Sequence, residues 1–180
     1  MAKPINIINI NLFDPKSIQA AVKALRDYED SLEYKCRLLA ETLAEKGVEI
    51  ARVQIADLDA IFNQDLLRSI HAEYVGSVKG GGVWAVVAGT DHAAFVEFGT
   101  GVVGKQSPYP YQLPEGVDWQ YASGKTIRQL ADGRYGWFYP ADDGRWYFTE
   151  GMPSRPFMYL TAIELRDIVS QTAKVVFGSG

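Results

Sequence analysis

Ala94-Phe-Val-Glu-Phe-Gly-Thr-Gly101 and Gly151-Met-Pro-Ser-Arg-Pro-Phe-Met158 decide the fold. In the first, Glu97 sits among Ala94, Phe95, Val96 and Phe98, and the run ends in two glycines flanking Thr100. Glycine permits positive φ and close approach of backbones, so the run closes an apolar hairpin with a tight turn. A carboxylate beside that turn accepts hydrogen bonds from free N–H groups and stays ionised although half-buried. Glu97 therefore reads as a structural staple rather than a catalytic base, since no nucleophile or metal cluster stands beside it. The second stretch launches the last helix, with Ser154 or Arg155 near the cap and Pro156 in the first turn. Phe157, Leu160, Thr161, Leu165, Ile168, Val169, Thr172 and Val176 then recur three and four apart, forming one apolar face.

Asp14-Pro15 opens a long helix, an acid at the N-cap followed by proline at the first position. Ile18, Val22, Leu25, Leu32, Cys36, Leu39 and Leu43 follow alternating steps of four and three, with Glu29 in the one polar slot. This heptad-type seam predicts a helix to Lys46, stopped by Gly47 and about 48 Å long at ~1.5 Å per residue. It either lies across its own sheet and helices or reaches into a neighbouring subunit. Cys36 falls on the seam and reads as a packed residue, not a nucleophile. Ahead of the helix, residues 4–12 read as a strand, and from Ile8 onward Ile8, Ile10 and Leu12 alternate with Asn9 and Asn11 as a half-buried strand requires. With no hairpin partner nearby, that strand pairs with a distant strand or with another copy of the chain.

After Gly47 the sequence predicts a short strand or irregular apolar segment to Ala56, then a connector to Asn63. Residues 66–78 and 83–88 read as an antiparallel hairpin turning at Lys79-Gly-Gly-Gly82, and residues 92–98 as one helical turn. Residues 101–131 are the least regular part, because Pro108, Pro110 and Pro114 forbid an ordinary helix or central strand. A helical turn is expected over 125–131. Asp143-Gly144 between Tyr135-Gly-Trp-Phe-Tyr139 and Trp146-Tyr-Phe148 predicts an aromatic hairpin over 134–149. Its seven aromatic residues exceed what a two-sided core needs, so some are expected against a partner or the long helix. These elements make an α+β fold: an antiparallel β-sheet flanked by a long N-terminal and a C-terminal helix, with an aromatic hairpin inserted. Residues 1–13 form an arm and 14–180 one domain.

Composition narrows the function. The 180 residues are 47% apolar with net charge −4, enough for one domain with a core and ill suited to gripping nucleic acid by bulk charge. One cysteine precludes an internal disulfide and suggests a reducing compartment. Neither a signal peptide nor a membrane span is expected. Asp91-His92 suggests a metal or proton relay only weakly, because His71 is the sole other histidine and a metal site needs three or four ligands.

Asp65-Leu-Leu-Arg-Ser-Ile70, Phe95-Val-Glu-Phe-Gly-Thr100 and Arg155-Pro-Phe-Met158 occur in that order. Together they resemble the tail-component family of long-tailed bacteriophages, proteins of the neck where the DNA-filled head joins the tail. The tryptophan-rich hairpin running into Thr149-Glu-Gly-Met-Pro-Ser-Arg-Pro-Phe157 resembles the subgroup from phages of Gram-positive hosts. The likeness spans residues 65 to 172. It departs at Asn63-Gln64, where many members carry threonine and glycine. It implies a non-enzymatic structural protein of the virion, assembled in the host cytoplasm, with no cofactor. It also implies a homo-oligomeric ring of about six or twelve copies around the DNA channel. Neighbours would be neck, head-completion and tail-terminator or tube proteins, and DNA would pass through the lumen without specific binding, which the negative net charge suits. The residues implied at motifs and interfaces are Arg68, Glu97, Phe98, Gly99, Thr100, Trp137, Trp146, Arg155, Pro156 and Phe157. A rival reading treats Gly136-Trp-Phe-Tyr and Asp143-Gly-Arg-Trp-Tyr-Phe148 as one aromatic repeat of a cell-wall or choline-binding module, although such modules need several copies.

Overall fold

The computed structural model describes residues 8–60, 64–121, 128–141 and 143–178. It shows the α+β fold: helices α1 (Pro15–Asp57), α2 (Gln64–Ser69), α3 (Ala93–Phe98), α4 (Gly101–Gln106) and α5 (Phe157–Gly178), and strands β1 (Ile70–Val78), β2 (Gly81–Ala88), β3 (Arg128–Gln129), β4 (Tyr135–Pro140), β5 (Trp146–Thr149) and β6 (Gly151–Met152). Among the described residues the strands form two antiparallel sheets, the hairpin β1-β2 and the aromatic ribbon β3-β4-β5.

The start of α1 follows the sequence: Asp14 Oδ1 accepts from the backbone N–H of Lys16 at 3.0 Å, and proline occupies the first turn. Its end does not. Gly47 is buried in the middle of the helix, which continues to Asp57 and reaches about 64 Å. The expected strand over 47–56 is therefore helix. A Cβ at Gly47 would lie 2.6 Å from Val86 Cγ2 and 2.9 Å from a Leu165 methyl. This glycine admits β2 and α5 close to α1, a role the sequence alone does not separate from a helix stop.

Residues 64–69 are helical, so the hairpin strand begins at Ile70 rather than Leu66. Ser69 Oγ donates back to Leu66 O at 2.8 Å, closing that short turn. Residues 8–12 form no strand within this chain, and residues 4–7 of the expected segment lie outside the described residues. Of the expected turn over 125–131, residues 125–127 also lie outside them; Arg128 and Gln129 are extended and pair with Gly136 and Tyr135.

Helix α5 runs antiparallel along α1. Arg155 Nε donates to Leu58 O at 3.0 Å, Gln54 Nε2 to Glu164 Oε2 at 3.1 Å, and Lys35 Nζ to Phe177 O at 3.5 Å. The core gathers at one end of this pair, from Ala51, Ile55, Leu66, Ile70, Val96 and Phe157. Ile55, Ile70 and Phe157 are fully buried. Because α5 ends level with Lys35, residues 15–34 of α1 run on past it for about 30 Å.

Candidate functional site

The two motif stretches meet. Pro156 precedes the first residue of α5 and has no side chain able to accept from the free N–H groups of that helix end. Glu97, on α3, supplies the acceptors. Its Oε2 takes the Met158 N–H at 2.8 Å and its Oε1 the Tyr159 N–H at 3.1 Å, from 61 and 62 residues away. A carboxylate there also faces the positive end of the helix dipole. Glu97 is the staple the sequence suggests, but its donors are in α5, not in the Gly-Thr turn. Burial pushes its carboxyl above the ordinary value, and the two N–H bonds pull it back only in part.

Further hydrogen bonds fasten the same junction. Arg155 N donates to Val96 O at 2.8 Å, Ser154 Oγ to Glu97 O at 2.6 Å and Ser154 N to Ser107 O at 3.1 Å. Thr100 and Gly101 bridge to Met152 and Gly151 as an antiparallel pair. Gly101 and Gly151 both have positive φ, and a Cβ on either would strike the opposing backbone. The Gly-Thr-Gly run is therefore where one chain segment threads against another, after α3 rather than after a hairpin.

The proline-rich segment covers this clasp. Residues 101–106 are helix α4, and the chain then folds back over Phe98. Phe98 stacks edge-on to Tyr109 at 5.0 Å and lies 5.1 Å from Trp119, whose Nε1 donates to Gly99 O at 2.8 Å. Tyr111 stacks on Tyr159 at 3.8 Å. Tyr109 is buried, and burial together with the nearby Glu97 charge pushes its hydroxyl up to about 12. Tyr109, Tyr111 and Trp119 thus anchor the 107–121 segment on its own subunit. Tyr109 and Trp119 are clasp residues that the motif reading misses, although Tyr-Pro-Tyr at 109–111 marks the place.

Glu97, Phe98, Gly99, Thr100, Arg155, Pro156 and Phe157 come together. Arg68, Trp137 and Trp146 do not join them. Arg68 lies exposed on α2, not on the hairpin strand, and donates to Gln64 Oε1 at 2.7 Å. Trp137 is half-buried in β4 opposite Thr149, and Trp146 is exposed at the start of β5. The ribbon carries aromatic side chains outward: Phe138 against Phe148 at 5.3 Å, with the Arg134 guanidinium 5.1 Å from the Phe148 ring centre. His71 Nδ1 donates to Ser69 O at 2.7 Å. Among the described residues no group of three or more His, Cys, Asp or Glu is placed to hold a metal, and no helix is long and apolar enough to cross a membrane.

The remaining surface is unusual in one place. Ile18, Val22, Leu25 and Leu32, the first part of the heptad seam, are 41–55% exposed on the projecting half of α1. Leu12 and Phe13 before it are 77% and 97% exposed. Comparison with protein-family models, with curated proteins and with solved structures finds no match in any of the three.

Proposed function

We propose that this chain is a structural subunit of a phage head–tail junction, a neck or tail-completion protein that forms a homo-oligomeric ring around the DNA channel and performs no catalysis. The observation that carries the reading is the projecting half of α1, where the seam residues Ile18, Val22, Leu25 and Leu32 remain 41–55% exposed in the single chain although Ala21 among them is buried. An apolar stripe of that length in water is stabilised by packing, and copies of the same chain are the partners a ring supplies. The clasp of α3 on the start of α5 supports it by giving a rigid body from which the helix projects. The ordered motifs within 65–158 lend the resemblance its content. Native mass spectrometry and negative-stain images of the purified chain test the reading: a discrete multimer with a central opening is expected, and a monomer at all concentrations contradicts it.

The aromatic ribbon favours a second reading, a carbohydrate-binding face. Phe138, Trp146 and Tyr147 are 43–66% exposed on one hairpin, and such rings stack on sugars. Sedimentation of the protein with purified cell walls tests it; retention that disappears in Trp146→Ala supports this reading over the first.

A further inference from the structure

Hairpin β1-β2 has a free edge on β2, with no third strand among the described residues. Beside β2 runs a groove of about 500 Å³, lined by Leu43 and Ala44 of α1, Gly82 and Trp84 of β2, and Thr161 and Leu165 of α5. An open strand edge next to an apolar groove is the geometry that accepts an added strand, the edge bonding its backbone and the groove taking alternate side chains.

The same chain carries a segment suited to it. Ile8, Ile10 and Leu12 lie two apart, are 38%, 50% and 77% exposed, and form no ladder in their own chain. Five residues, 8–12, match the five residues of β2 from Gly82 to Val86, each about 17 Å long at ~3.4 Å per residue. Asn9 and Asn11 would then face water.

The segment cannot reach its own groove. Asn11 N donates to Ser17 Oγ at 2.8 Å and Asp14 N to Asn11 O at 3.1 Å, which ties the arm to the tip of α1. The groove residue Ala40 stands about 39 Å further along that helix at ~1.5 Å per residue, more than twice the span of the segment. We infer that residues 8–12 of one copy add as a third strand to β2 of a second copy, with Ile8, Ile10 and Leu12 turned into the groove between β2 and α5. This rests on the oligomeric reading above and names its contact. Donor and acceptor surfaces differ, so the contact is head-to-tail, the kind that closes a ring.

Single-cysteine chains in a Cys36→Ser background test the exchange. Ile10→Cys and Val83→Cys preparations are mixed and treated with a short bis-maleimide. A cross-linked product containing one of each chain is expected, and Ile10→Cys mixed with Arg145→Cys, on the aromatic ribbon, should give none. In the wild-type background, Ile10→Asp should shift the multimer towards monomer without moving the monomer's unfolding midpoint. Multimers that form without the Ile10–Val83 product, or that survive Ile10→Asp, overturn the arm exchange and leave the ring standing. A chain that never forms multimers overturns both.

Discussion

The two halves of α1 carry one sequence pattern and meet opposite fates. From Leu39 to Ile55 one face packs against β2 and α5, with Ala44, Gly47, Ala51 and Ile55 buried and Val53 exposed on the other side. From Ile18 to Leu32 the same heptad steps are 41–55% exposed, and of this half only Ala21 is buried among the described residues. Local sequence cannot distinguish them, because periodicity reports that a face is apolar and not what covers it. The lesson extends to the rest of the chain. At the clasp end the motif residues are joined by hydrogen bonds within the chain, while Ile18, Val22, Leu25 and Leu32 at the tip and Leu12 and Phe13 in the arm stay exposed.

Perturbing the clasp end should give the largest effects on the isolated subunit. Phe157→Ala empties the centre of the core and should cost about 3–5 kcal/mol in guanidinium unfolding. Glu97→Gln turns one amide N–H₂ towards a buried N–H donor of α5, leaving it unpaired, for about 1–3 kcal/mol. The pH dependence has a definite sign. The folded carboxyl titrates above its ordinary value of 4.5, so between the two values the folded state holds more protons than the unfolded one. Stability gained from that proton is fully present below 4.5 and is lost as pH rises through the folded value. Wild type should therefore lose stability relative to Glu97→Gln as pH climbs across that window.

Gly47→Ala probes the packed half of α1. As a helix terminator the position would tolerate little change; as a mid-helix residue it gains about 1 kcal/mol of helix propensity. Displacing Val86 and Leu165 opposes this by about 1–3 kcal/mol, so a net loss of about 1 kcal/mol is expected in the same unfolding assay. Asp143→Ala should have the smallest effect. Asp143 accepts from Arg145 N and from the Tyr147 hydroxyl, which hold its carboxyl below the ordinary value. The variant should loosen only the hairpin turn, visible as faster amide exchange at Arg145 with the global midpoint unmoved.

Much of the fold was legible from residue types. Asp14-Pro15 marks the helix start, Asp143-Gly144 the ribbon turn, and the two motif stretches the place where the chain closes on itself. Glu97's partners were not, because the donors lie 61 and 62 residues away and carry no side-chain signature. Gly47 misled because glycine serves a helix end and a close crossing equally well. The run over 64–69 misled because Leu66 and Ile70, both buried, suit a strand as readily as a helical turn leading into one. The proline-rich stretch hid its packing because Tyr109 and Trp119 close over Phe98 through side chains, not through any repeating backbone pattern.

The most direct measurement is the mass of the purified chain by native mass spectrometry or sedimentation, beside Leu25→Glu on the projecting seam. Surface charge there should change subunit stability by no more than about 0.5 kcal/mol. The expected result is a discrete multimer for wild type that falls to monomer in Leu25→Glu with the unfolding midpoint unchanged. A wild-type monomer at every concentration, or a multimer indifferent to the charge at position 25, would contradict the claim that this half of the helix is built to be covered by sister subunits.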